Sequence, residues 1–179
     1  MKEEIIIAGF GGQGVLSMGK ILAYAGLMDN LEVTWMPSYG PEQRGGTANV
    51  TVILSDAPIS SPVLRTYDTA VLLNQQSLDK FESRIKPGGT LIYDTYSIHH
   101  RPTRTDITLV PVDAMEATFE LGNSKAYNMV LLGALIKVRP LVGVEAVMRG
   151  LKKTLPERHH HLLPLNKEAI LKGMTLPKE

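Results

Sequence analysis

The stretch Glu4-Ile5-Ile6-Ile7-Ala8-Gly9-Phe10-Gly11-Gly12-Gln13-Gly14-Val15 decides the fold. A β-branched run that stops at glycine reads as a buried strand. Its continuous apolar character, without alternation, places it in the middle of a parallel sheet. A glycine-rich turn follows over 9–14. Val15, Met18, Ile21, Leu22 and Ala25 then recur at helical spacing and predict a helix over 15–28. A second short strand over 33–36 completes what reads as a β-α-β unit.

Residues 37–46 have the composition of a loop, with two prolines and three glycines. The next strand, 47–54, puts Ala48, Val50 and Val52 on one face and Asn49 and Thr51 on the other. That alternation suggests one polar or partner-facing side. Strands are expected at 69–73, 90–94 and 107–112, with a helix over 76–84 and a turn at Lys86-Pro87-Gly88-Gly89. From Asp113 onward the pattern is helical. Asn123-Ser124 can cap a helix reaching Lys137, and two more are expected over 141–155 and 165–173. The reading is α/β: one three-layer domain over 1–179 with a mostly parallel sheet and a Rossmann-like opening unit. The strand at Thr47 leaves open a mixed sheet.

Composition narrows the function classes. The chain has 179 residues and a formal charge of +1, enough length for one sizeable core. No cysteine is present, which excludes disulfides, thiolate–zinc sites, a cysteine nucleophile and cysteine-ligated iron–sulfur clusters. Near-neutral charge argues against a nucleic-acid binder that relies on bulk electrostatics. The charge is uneven: residues 1–138 carry 11 basic and 14 acidic side chains, and residues 139–179 carry 8 and 4. The basic segment is therefore a candidate docking face or a solvated helix surface. The longest apolar run, 129–136, is too short to span a membrane, and the first residues lack a signal-peptide layout, so the expected location is cytoplasmic.

Gly9, Gly11 and Gly14 fit G-x-G-x-x-G between a strand and a helix. Such a turn can present helix N–H groups to an anion, or can serve close packing against a strand, helix or subunit. The acidic residue that a dinucleotide site needs at the end of its second strand is missing: that strand runs Thr34-Trp35-Met36-Pro37. The other dense segment is Ser38-Tyr39-Gly40-Pro41-Glu42-Gln43-Arg44-Gly45-Gly46-Thr47-Ala48-Asn49. Its stiff backbone carries Glu42 and Arg44, suited either to paired recognition of a partner or to simple solvation. His159-His160-His161 cannot surround one ion from a strand or a helix. No pair of carboxylates or serine elbow suggests a catalytic group.

The two loops together resemble the gamma subunit of 2-oxoacid:ferredoxin oxidoreductases, a family with pyruvate, indolepyruvate, 2-oxoglutarate and branched-chain (2-oxoisovalerate) types; the second loop is most similar to the 2-oxoglutarate and branched-chain forms, and the likeness runs through nearly the whole chain. The resemblance implies oxidative decarboxylation of a 2-oxoacid to an acyl-CoA on thiamine diphosphate and magnesium, with electrons leaving through iron–sulfur clusters to ferredoxin or flavodoxin. The chain has no Gly-Asp-Gly with a downstream Asn and no cysteines. Thiamine diphosphate, magnesium, iron–sulfur clusters and coenzyme A are therefore expected to be held through alpha, beta and ferredoxin-like delta subunits, and no catalytic residue or metal ligand is expected here. The expected interface or anion-binding residues are Gly9, Gly11, Gly12, Gln13, Gly14, Ser38, Tyr39, Glu42, Arg44, Gly45 and Gly46, with the two loops meeting at the carboxyl ends of the first two strands. An isolated subunit with a large interface is also a candidate for self-pairing. The rival reading is a stand-alone dinucleotide-binding protein using the Gly9–Gly14 turn.

Overall fold

The computed structural model describes residues 1–39 and 46–178. Six strands form one sheet in the order β2-β3-β1-β4-β5-β6. They are β1 (Lys2–Phe10), β2 (Glu32–Tyr39), β3 (Thr47–Ser55), β4 (Tyr67–Leu72), β5 (Ile85–Asp94) and β6 (Thr108–Val112). β3 runs antiparallel to both β1 and β2, and all other pairings are parallel. The sheet is therefore mixed, with only β3 reversed.

This corrects two expectations. The Ile5-Ile6-Ile7 strand is central and fully buried, but one of its neighbours is antiparallel. The opening β-α-β unit is split, because β3 lies between β1 and β2. Strands consecutive in sequence tend to pair, and β3 pairs with β2 by turning back along it. The Lys86-Pro87-Gly88-Gly89 turn proves to be an irregularity inside β5. Tyr67 pairs with Ile85 and Thr69 already with Thr90, so the intervening residues bulge out, with Gly88 at φ +77°.

The helices are α1 (Val15–Met28), α2 (Gln75–Phe81), α3 (Ala114–Glu120), α4 (Tyr127–Val138), α5 (Val144–Thr154) and α6 (Leu163–Met174). Most of them cover one face of the sheet, where α1 packs on β2 and β3 and α4 packs under α6. The other face carries α2 and a smaller core around Leu78, Phe81, Tyr67 and Tyr93. α4 holds the longest apolar run, and its residues 129–136 are buried on every side, as a helix at the centre of a helical layer must be. Among the described residues no helix is long and apolar enough to cross a membrane. Asn123 does act as a cap, accepting from Lys125 N, but it opens a 3-10 turn, Ser124–Ala126, that leads into α4. Another 3-10 turn, Glu157–Leu162, joins α5 to α6.

Candidate functional site

β1 and β2 are both antiparallel to β3, so their carboxyl ends emerge at the same edge of the sheet. There the glycine turn and the end of the second loop meet: Gly11 N donates to Gly46 O at 3.0 Å. The turn is held from within. Gln13 Oε1 accepts from Phe10 N at 2.7 Å, Gln13 N donates to Phe10 O at 3.2 Å, and Gln13 Nε2 reaches Leu73 O, beyond the end of β4, at 3.4 Å. Gln13 thus spends its polar groups on the turn. The helical ladder of α1 begins with Met18 N donating to Gly14 O. The N–H groups of Val15, Leu16 and Ser17 precede that first bond. These residues line, with Phe10, Gly11, Gly12, Gly14 and Ala48, an open cavity of about 380 Å³.

The start of α4 packs against the same glycine turn. Asn128 Nδ2 donates to Gly14 O at 3.2 Å. Gly14 sits at φ +77°, and a Cβ there would overlap the Asn128 amide, so glycine is required for both reasons. Beside Asn128, the Tyr127 hydroxyl donates to Asp94 Oδ2 at 2.9 Å, and the Ser97 hydroxyl donates to the same oxygen at 2.9 Å. Asp94 closes β5 and is fully buried; its Oδ1 has no hydrogen-bond partner among the described residues. Burial, then the neighbouring Asp94 charge and hydrogen bond, push the Tyr127 phenol well above its ordinary range, which keeps it a donor. Gly12, Gln13, Gly14, Met115, Ser124, Lys125, Tyr127 and Asn128 enclose a cavity of about 320 Å³.

Of the expected residues, Gly9, Gly11, Gly12, Gln13, Gly14 and Gly46 gather at this edge. Ser38 lies exposed near the end of β2, opposite Asn49, and Tyr39 is the last residue of that strand. Glu42, Arg44 and Gly45 lie outside the described residues. Asn128 packs on the glycine turn itself. Asp94 and Tyr127 belong to no motif of the sequence. The available signal was an acid ending the buried strand run Leu91-Ile92-Tyr93, the position where open α/β sheets place polar site residues.

The dinucleotide reading loses its geometric basis. A ribose-binding acid would end the strand that follows α1; that strand, β2, runs Glu32–Tyr39 with no acid at its carboxyl end, and the reversed β3 separates it from β1. The histidine run serves a turn: His160 Nε2 lies 2.9 Å from Leu155 O and 3.1 Å from Lys152 O, and His161 Nδ1 lies 3.0 Å from Arg158 O. The basic C-terminal segment is partly paired internally, through Arg139–Glu3, Arg149–Asp29, Lys167–Glu145 and Lys172–Glu120.

Residues 4–176 match the family model described as pyruvate ferredoxin/flavodoxin oxidoreductase. The chain belongs to this family. Among relatives, it is 34% identical over 182 residues to the 2-oxoglutarate synthase subunit KorC of Methanocaldococcus jannaschii, covering 100% of this chain and 96% of that one. It is 42% identical over 133 residues to the ketoisovalerate oxidoreductase subunit VorA of Methanothermobacter marburgensis, a match covering 74% of this chain but only 28% of that protein. The gamma subunit of a keto/oxoacid ferredoxin oxidoreductase from Geobacter sulfurreducens superposes with a TM-score of 0.84 at 29% identity, covering 97% of this chain and 95% of that one. A 2-oxoglutarate:ferredoxin oxidoreductase from Magnetococcus marinus, solved with 2-oxoglutarate, coenzyme A and succinyl-CoA bound, superposes with a TM-score of 0.87 at 26% identity over 96% of this chain and 30% of that one. The mixed sheet and its helical layers match those of the Geobacter sulfurreducens gamma subunit.

The chain has no cysteine to ligate an iron–sulfur cluster. Among the described residues no group of three or more His, Asp or Glu could hold a metal ion.

Proposed function

We propose that this chain is the gamma subunit of a multi-subunit 2-oxoacid:ferredoxin oxidoreductase, most like the 2-oxoglutarate or branched-chain types, and that it is inactive alone. In this reading the thiamine diphosphate, magnesium and iron–sulfur clusters lie in alpha, beta and ferredoxin-like delta subunits, and ferredoxin or flavodoxin accepts the electrons in the cytoplasm. The chain's own part is structural and positional. The 9–14 turn and the 38–46 loop face the thiamine-bearing subunits and line the approach of coenzyme A, with Glu42 and Arg44 pairing across the interface.

One observation carries this reading: Gly11 N bonds Gly46 O, so the glycine turn meets the end of the other segment that bears the family resemblance. Loops at the carboxyl edge of an α/β sheet are where such folds meet ligands and partners. Arg44→Ala tests it in the reconstituted complex. A buried interfacial charge that loses its partner costs about 2–5 kcal/mol. The variant should therefore assemble poorly or turn over slowly while the isolated subunit keeps its melting temperature. Wild-type activity together with wild-type capture of the partner subunits would refute the assignment.

A further inference from the structure

Helix α3 turns Ala114, Ala117 and Thr118 inward and leaves Glu116, Phe119 and Glu120 outside, with its cap Asp113 also exposed. Phe119 is 86% exposed, more than any other large apolar side chain among the described residues. Beside it lies a hollow of about 420 Å³ lined by Met115, Thr118, Phe119, Gly122, Asn123 and Ser124. Met115 and Ser124 also line the cavity under the glycine turn, so the patch runs into the candidate site.

Charge says what covers it. A hydrogen bond with the Asp113 side chain, and after it the charges of Asp113 and Glu120, push the Glu116 carboxyl above its ordinary value. The opposing cation, Lys172, is already paired with Glu120 at 2.6 Å. A second copy docked face to face would set one carboxylate group against the other, and an anionic lipid surface would be repelled in the same way. A cationic side chain is attracted instead. Its aliphatic stem can cover the Phe119 ring while its head meets Glu116.

We propose that the outward face of α3, Phe119 flanked by Asp113, Glu116 and Glu120, docks an apolar segment bearing arginine or lysine from the subunit that also covers the glycine turn. The inference rests on the subunit reading above. It is tested with Phe119→Ala and Glu116→Lys in the full chain, titrated against the purified partner subunits encoded by the neighbouring reading frames. Both side chains are exposed, so both variants should melt with the wild type. Each should bind the partners about tenfold or more weakly, as expected for an aromatic anchor and its charged rim. Wild-type binding should weaken with salt, and Glu116→Lys should reduce that dependence. A photo-crosslinker in place of Phe119 should capture a partner peptide containing Arg or Lys.

Affinities within twofold of wild type overturn the docking face. So does a crosslink to a second copy of this chain, or a change in the oligomeric state of the isolated chain on Phe119→Ala. A wild-type chain that does not bind the partners at all overturns the subunit reading itself, and the docking face with it.

Discussion

Two adjacent side chains at the start of α4 hold the candidate site together from opposite directions. Asn128 takes the carbonyl of Gly14 at the end of the β1 turn, and Tyr127 takes Asp94 at the end of β5. Hydrogen bonds to a buried charged group are worth about 1.5–3 kcal/mol. Tyr127→Phe leaves Asp94 Oδ2 with only the Ser97 hydroxyl, so it should lower unfolding stability by about that amount in urea titrations. An unchanged midpoint would mean that water satisfies Asp94 equally well. The glycine turn was legible as a motif because its strand–turn–helix context is local. The Tyr127–Asp94 bond was not, because its partners lie 33 residues apart and meet only through the sheet.

At the scale of elements, α4 and α6 approach each other backbone to backbone. A Cβ on Gly133 would overlap the Ile170 carbonyl, and one on Gly173 would overlap the Val130 carbonyl. Two helices that touch backbone to backbone leave no room for a methyl group. Overpacking costs about 1–3 kcal/mol and sometimes more. Gly173→Ala should fall in or above that range by thermal melting. Gly143→Ala, where nothing lies within 4 Å and only the N-cap preference of α5 is lost, should cost no more than about 1 kcal/mol. Equal losses at the two positions would contradict the packing argument. From sequence, Gly133 reads simply as part of a helical apolar run, since periodicity reports which face is buried and says nothing about how near the neighbouring helix comes.

At the scale of the whole molecule, the sheet has two polar edges with different roles. The edge opposite the site is tied by ion pairs. Arg139 forks onto buried Glu3, which also accepts from Thr69 at 2.6 Å, while Lys86 bridges Glu4 at 2.6 Å and Asp68 at 2.7 Å. Burial raises the Glu4 carboxyl, but hydrogen bonds and charge from Lys2 and Lys86 outweigh it and hold Glu4 below its ordinary 4.5. Burial lowers the Lys86 ammonium, but Asp68 and Glu4 outweigh that and hold it above 10.5. A carboxylate with a depressed value contributes stability that is present above 4.5 and lost as pH falls through the folded-state value. An ammonium with a raised value contributes stability that is full below 10.5 and lost as pH rises through the folded-state value. The melting-temperature gap between wild type and Lys86→Met should therefore be widest between those limits and close at both ends. A gap independent of pH would remove the ion pairs from the account.

The sequence by itself determined the α/β class, the position of nearly every element, the glycine turn and the family. These depend on local periodicity, on turn chemistry and on motifs that survive as short strings. Only the tertiary structure decided that β3 reverses and separates β1 from β2, because strand order follows from long-range pairing that alternation cannot encode. That one reversed strand keeps the end of β2, where a ribose-binding acid would stand, away from β1. It leaves the glycine turn facing Gly46, Tyr127 and Asn128. The meaning of the opening isoleucine-to-glycine stretch is thus set less by its own residues than by the strand that runs against it.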